Sequence, residues 1–200
     1  MTITLAIDTA APRLQLALLL ADGRVDVSVD EIATGHAELI FDRIGTLLAR
    51  NSVDYADLGR VASTTGPGSF TGLRIGLSAA RGLGLARTIP VIGVPSLLAL
   101  SLSVAGASTV LLDARRGEAY FQVFSWPGQP STGAVLLPIE TARAAIEPGT
   151  VLIESPFVDI ALVVRYAAKA DPRTHSPEAT YVRDADAKPQ TAARIQRLTP

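Results

Sequence analysis

Two hundred residues with 48% hydrophobic and 18% charged side chains supply enough apolar material for a full core, which excludes wholesale disorder. Eighteen lysines and arginines against nineteen acids leave a formal charge of −1, too little positive charge for autonomous nucleic-acid binding. The absence of cysteine excludes disulfide frameworks, thiolate metal sites and cysteine nucleophiles, and is compatible with a reducing compartment.

Apolar runs at Thr2 to Asp8 and Leu14 to Ala21, with an Asp22-Gly23 turn into Arg24 to Val29, predict a three-stranded antiparallel meander. The amino terminus has no basic region, and Asp8 interrupts its first apolar stretch, so a secretory signal is not expected and a cytoplasmic location is. Glu38 to Arg50 places Ile40, Ile44, Leu47 and Leu48 on one helical face after a Thr34-Gly35 start signal. Arg60 to Thr65 reads as a strand, Ser69 to Arg87 as a long helix and Ile89 to Val94 as another strand. Thr88 to Leu112 runs 25 residues without a charge, but its prolines and glycines break it into strand, helix (Pro95 to Val104) and strand rather than a membrane span.

The second half opens alike, with Val110 to Asp113 and Glu118 to Phe124 forming a hairpin across Ala114 to Gly117. Trp126 to Ser131 reads as a loop, Ile139 to Ile146 as a short helix, Thr150 to Ile153 as a strand and Val158 to Ala170 as an amphipathic helix. After Asp171 the chain is proline-rich, with room for an extended piece at Thr180 to Arg183 and a helical turn or two near Ala192. Two halves that each begin with an aspartate-ended strand and a hairpin predict a duplicated α/β architecture, the actin-like, ribonuclease H-like plan with mixed sheets. The expected division is a first lobe at 1–104, a small degenerate second lobe at 105–170 and a tail at 171–200.

The glycine-rich stretch from Thr64 to Gly76 lies between a strand and a helix, where backbone N–H groups and the helix dipole can hold an anion. It departs from the Walker pattern, because Leu73 and Arg74 follow Gly72, and from the dinucleotide pattern, because the third glycine falls one residue late. A degenerate phosphate site built from Asp8, Thr9, Gly66, Gly68 and Ser69 therefore stands beside the plainer reading of a tight turn capped by Ser69. Asp8, with Asp113 as its counterpart in the second half, suits a metal or nucleotide ligand or simply a strand end. In the following helix, Gly72, Gly76 and Ala80 share one face at a cost of roughly 1 kcal/mol per glycine, which close packing on the chain's own sheet or on another subunit would offset. His36 and His175 are the only histidines, so no paired-histidine metal site and no metalloprotease motif is present. From Asp22 to Asp42, six acids face one arginine before Arg43, an acidic patch that would repel RNA.

Leu5 to Thr9, His36 to Ile40, Gly66 to Gly76, Pro90 to Leu97, Leu112 to Glu118 and Tyr181 to Arg183 together resemble the TsaB family, over nearly the whole chain and most specifically residues 1–120. The resemblance implies an actin-like fold and a non-catalytic scaffold role in threonylcarbamoyladenosine modification of tRNA. The implied partners are the paralogue TsaD, which carries out the transfer, and the ATPase TsaE, with tRNA reached through the complex and a homodimer when TsaD is absent. ATP and a metal ion are then expected in the partners and none in this chain. Where TsaD carries metal-binding histidines, this sequence has Pro95 to Leu100, with no ligand. Family members pair through helices of the first lobe, which here nominates His36, Leu39, Ile40, Arg43 and Leu47 with Leu73, Arg74, Gly76, Leu77, Ala80 and Arg81. On that reading Gly76→Arg abolishes pairing and leaves the monomer folded. The alternative is an independent actin-like ATPase or kinase using Asp8, Asp113 and the Gly66 to Ser69 turn.

Overall fold

A computed structural model describes residues 1–180 and 182. The first half contains β1 (Thr4–Asp8), β2 (Leu14–Leu19), β3 (Val25–Asp30), α1 (His36–Ala49), β4 (Arg60–Thr64), α2 (Phe70–Arg87), β5 (Val91–Val94) and α3 (Ser96–Ser101). The strands form one sheet in the order β3-β2-β1-β4-β5. The meander is antiparallel, and β1, β4 and β5 run parallel because α1 returns the chain from the meander to β4 and α2 returns it from β4 to β5.

Period-two alternation assigns the faces of this sheet. Leu5, Ile7, Leu14, Leu16 and Leu18 join Ile40, Ile44 and Leu47 of α1 and Ala79, Ala80 and Leu83 of α2 in one core. Ala6, Ala17, Leu19, Ala62 and Ile92 point the other way, into a second core.

The second half contains β6 (Ser108–Arg115), β7 (Glu118–Trp126), β8 (Gln129–Pro130), β9 (Val135–Pro138), α4 (Ile139–Ala144), β10 (Val151–Ile153) and α5 (Ile160–Ala167). Antiparallel β9 pairs with β7, and parallel β10 pairs with β6. The series β6, β7, β9, α4, β10, α5 thus repeats β1, β2, β3, α1, β4, α2 in both order and strand direction. This is the duplicated, actin-like plan, and β9 is the strand that completes it. Four residues ending in a proline carry no period of their own, so β9 has no local signal in the sequence. Pairing with β7 from Phe121↔Val135 to Glu118↔Pro138 creates the strand. Trp126 to Ser131, read as a loop, is the turn of a small hairpin that includes β8.

Helix α5 is grouped by sequence with the second lobe, yet it packs across β1 and β2 of the first sheet. Ile160, Val163, Val164 and Ala167 enter the core that also holds α3, Val110 and Leu112 of β6 and Phe124 of β7. The two sheets therefore share one apolar interior. Arg60 on β4 adds a polar tie, its Nη1 donating at 2.7 Å to the carbonyl oxygens of both Ala167 and Ala170 at the end of α5. Arg60→Met is expected to cost about 1–3 kcal/mol, because two part-buried carbonyls lose a charged donor. Urea denaturation should show a lower midpoint with an unchanged slope.

The segment after α5 lies along the edge of β5. Gly93 N donates to the His175 carbonyl oxygen at 2.9 Å and Thr180 N to that of Thr65 at 2.8 Å, while His175 Nε2 lies 2.8 Å from the Tyr166 hydroxyl. Of the family signature at Tyr181 to Arg183, Tyr181 and Arg183 lie outside the described residues, as does the helical turn expected near Ala192. No helix among the described residues is long and apolar enough to cross a membrane.

Candidate functional site

Asp8 ends β1 as the sequence predicts, but it faces inward. Its residue is 0% exposed. Oδ1 accepts from Thr64 Oγ1 at 2.7 Å and from Ala10 N at 3.2 Å, and Oδ2 accepts from Gln15 Nε2 at 3.1 Å. Each oxygen accepts from at least one protein donor inside the fold, the arrangement of a buried structural carboxylate. Burial pushes its pKa up, against the lowering effect of the three hydrogen bonds. An acid with a raised folded-state pKa contributes stability below the ordinary aspartate range, and that contribution is lost as pH rises through the raised value. Asp8→Asn, with Gln15 free to turn its amide oxygen toward the new donor, is therefore expected to gain on the wild type between pH 4 and pH 8, ending within about 1 kcal/mol of it or above. Urea midpoints across that range check the sign.

The glycine-rich turn is likewise engaged by the chain itself. Ser69 N donates to the Ala10 carbonyl oxygen at 2.7 Å, and Ser69 Oγ accepts from Gly72 N at 3.2 Å, which caps α2 from within. A Cβ on Gly68 would lie 2.6 Å from the Ala10 carbonyl oxygen. Of the two readings of this stretch, the tight capped turn describes the geometry. Gly66, Gly68 and Ser69 fit the β1–β2 loop and the Thr180 backbone against each other rather than presenting a phosphate cradle, and Thr9 Oγ1 donates at 2.7 Å to the Gly72 carbonyl.

The same holds one turn further along α2. A Cβ on Gly72 would run into the Thr9 carbonyl oxygen, and one on Gly76 would lie 2.5 Å from Thr9 Oγ1 and 3.2 Å from Ser63 Oγ. The small-residue face therefore seats α2 on its own sheet. Gly76, Ala80, Leu73 and Leu77 are buried within the chain, as are Ile40 and Leu47 of α1, so they present little surface to a second subunit. His36 is buried too, with Nε2 3.2 Å from the Arg13 carbonyl oxygen. Arg43 is half-buried and its Nε donates to both Asp30 oxygens at 2.9 and 3.0 Å.

What α1 and α2 leave outside is a groove of about 490 Å³. Phe41, 53% exposed, and Phe70, 56% exposed, stand on its two sides, and the Arg74 guanidinium lies 3.7 Å from the Phe70 ring centroid. Arg74 and, at its buried floor, Ile40 are the nominated residues that line the groove, while Leu39 is half-buried and Arg81 exposed. The sequence reading missed Phe41 and Phe70. Their signal was the i, i+4 pairs Ala37 with Phe41 and Phe70 with Arg74, each displaced from its helix's apolar stripe.

The acids on and just after β3 are paired by arginines of α1, of its C-cap and of the β1–β2 loop: Asp30 with Arg43, Asp26 with Arg50 at 2.6 Å and Glu31 with Arg13 at 2.7 Å. Between the two sheets lies a second concavity of about 430 Å³, lined by the β1–β2 loop, the turn before α2, Ser96, the end of β6 and the segment before α5. Asp113 lines it, 64% exposed at the side chain and 3.8 Å from Arg115. It is not a buried counterpart of Asp8.

Comparison with known proteins bears on which of these surfaces matters. The family model described as TsaD, tRNA N6-adenosine threonylcarbamoyltransferase, matches residues 30–147, more than half of the chain. The tRNA threonylcarbamoyladenosine biosynthesis protein TsaB of Escherichia coli is 36% identical over 145 residues, and that of Bacillus subtilis is 34% identical over 127. The chain belongs to the TsaB family. The E. coli match spans 67% of this chain and 62% of that protein, and the B. subtilis match 61% and 55%. A Mycobacterium tuberculosis protein is 38% identical over 152 residues, 74% of this chain and 69% of its own length. The structure named YeaZ from Pseudomonas aeruginosa has the same fold, with a TM-score of 0.77 at 24% identity over 90% of this chain and 100% of that one. In this TsaB-family chain the described residues contain no group of three or more His, Cys, Asp or Glu side chains placed to hold a metal.

Proposed function

We propose that this chain is a non-catalytic scaffold subunit in threonylcarbamoyladenosine modification of tRNA, pairing in the cytoplasm with a TsaD homologue through the groove between α1 and α2. The observation that carries the reading is that groove. Two half-exposed phenylalanines with an arginine stacked on one of them form the kind of aromatic and arginine cluster that anchors protein interfaces. Family membership supplies the pathway. The sealed state of Asp8 supports a supporting role over the ATPase or kinase alternative, which needs that carboxylate for metal or phosphate. TsaE joins the assembled pair, tRNA is reached through the complex, ATP and metal chemistry reside in the partners, and a second copy of this chain covers the groove when TsaD is absent.

The test is to mix the purified chain with the TsaD homologue of its own organism and measure the eluted mass by light scattering. A stoichiometric heterodimer is expected. Separate elution with ATP, TsaE and tRNA present would overturn the proposal.

A further inference from the structure

The concavity between the two sheets lies apart from the α1–α2 groove and has a chemistry that the pairing proposal does not use. Its volume of about 430 Å³ is within the range of small-molecule sites. Pro12, Pro67, Pro156 and Tyr120 bring flat apolar ring faces to its walls, with Leu112 and Val158 beside them.

Its polar groups are few and unevenly used. Ser96 is 3% exposed, and its Oγ has no hydrogen-bond partner, although its backbone N–H donates to the Gly66 carbonyl oxygen at 2.8 Å. Of the two buried hydroxyls without a partner among the described residues, Ser96 is the one whose residue lines this cleft. A buried hydroxyl left unpaired is an unfavourable group that a ligand can satisfy. Asp113 and Glu154 bring carboxylates to the same walls, Glu154 held by Arg143 at 3.1 Å.

These groups discriminate between ligands. A phosphate chain would face two carboxylates, while Arg115, the single lining cation among the described residues, already lies 3.8 Å from Asp113. At the N-terminus of α2 the Gly72 N–H is already accepted by Ser69 Oγ and the Leu73 N–H by the Ser69 carbonyl oxygen, which leaves less of that end for an anion. Carboxylates instead suit a vicinal diol, as they do for ribose hydroxyls in nucleotide-binding folds, and flat faces suit a planar ring.

We infer that this cleft binds a free nucleoside: the ring lies against the proline and Tyr120 faces, the ribose diol meets Asp113 or Glu154, and Ser96 gains its missing hydrogen-bond partner. A nucleoside bearing a phosphate chain is disfavoured by the same carboxylates.

Titration calorimetry with adenosine and with ATP, on the purified full chain, tests this. Adenosine is expected to bind and to raise the thermal midpoint, and ATP to bind at least about tenfold more weakly. Ser96→Ala is expected to leave the midpoint of the ligand-free protein unchanged or raised, since the hydroxyl makes no bond there, while weakening adenosine about fivefold to tenfold. Glu154→Gln, on the surface, should weaken adenosine and narrow the gap to ATP. No adenosine binding at millimolar concentration, ATP binding as tightly as adenosine, or adenosine affinity unchanged in both variants would each overturn the inference. Both variants are expected to pair with TsaD normally, so loss of nucleoside binding and loss of pairing are read separately.

Discussion

Gly72→Ala is expected to lower stability by about 3 kcal/mol or more, whereas Gly82→Ala ten residues along the same helix should gain about 0.5–1 kcal/mol. Helix propensity alone favours alanine at both positions by the same amount. The environments differ. A methyl group on Gly72 meets the backbone carbonyl oxygen of Thr9, and neither backbone can give way, because Thr9 Oγ1 is bonded to the Gly72 carbonyl at 2.7 Å and Ser69 N to the Ala10 carbonyl at 2.7 Å. A methyl group on Gly82 meets nothing within 4 Å. Gly76→Arg belongs with Gly72→Ala: its Cβ alone would lie 2.5 Å from Thr9 Oγ1, so the expectation that this variant stays folded and loses only pairing is replaced by one of failure to fold. Circular dichroism melts of the three variants beside the wild type decide it, and a stable Gly72→Ala would mean that α2 is not seated on β1 as described.

Phe41→Asp and Phe70→Asp are expected to weaken pairing with the TsaD homologue by at least about 30-fold each, and to leave the thermal midpoint of the isolated chain within a few degrees of wild type. Both rings are more than half exposed, so an aspartate costs the monomer little, but at the centre of an interface it removes an apolar anchor and buries a charge. Phe70→Asp also takes away the ring under Arg74. Surface plasmon resonance against immobilised TsaD gives the affinity, and light scattering of each variant alone reports on the homodimer. Pairing of undiminished strength in both variants would place the interface elsewhere, since the other apolar residues of the nominated set, apart from half-buried Leu39, are buried in the chain's own core.

Much of the fold was legible because its signals are local. The alternation of Leu14, Leu16 and Leu18 with Gln15, Ala17 and Leu19 marks a strand with two apolar faces, and Ile40, Ile44, Leu47 and Leu48 mark a helical stripe, whatever lies opposite them. The motif spacing around Gly66 to Gly76 and Leu112 to Glu118 was legible for the same reason, and with it the TsaB family. Strand β9 was not, because its hydrogen bonds all go to β7, and neither was the place of α5, whose amphipathic pattern marks a buried face but not which sheet buries it.

The candidate site divides along the same line. Sequence picked out Asp8 and the glycines of α2 as unusual, correctly, but residue type is silent on direction. An aspartate at a strand end serves a metal or three internal donors equally well, and a glycine face fits its own sheet or a second subunit by the same steric argument. Tertiary structure decided both, because burial and close approach depend on which atoms arrive from elsewhere in the chain: Thr64 and Gln15 at Asp8, Thr9 at Gly72 and Gly76. It also moved the candidate interface from the buried stripe, which sequence patterns report, to Phe41 and Phe70 beside it, whose exposure follows only from how α1 and α2 pack.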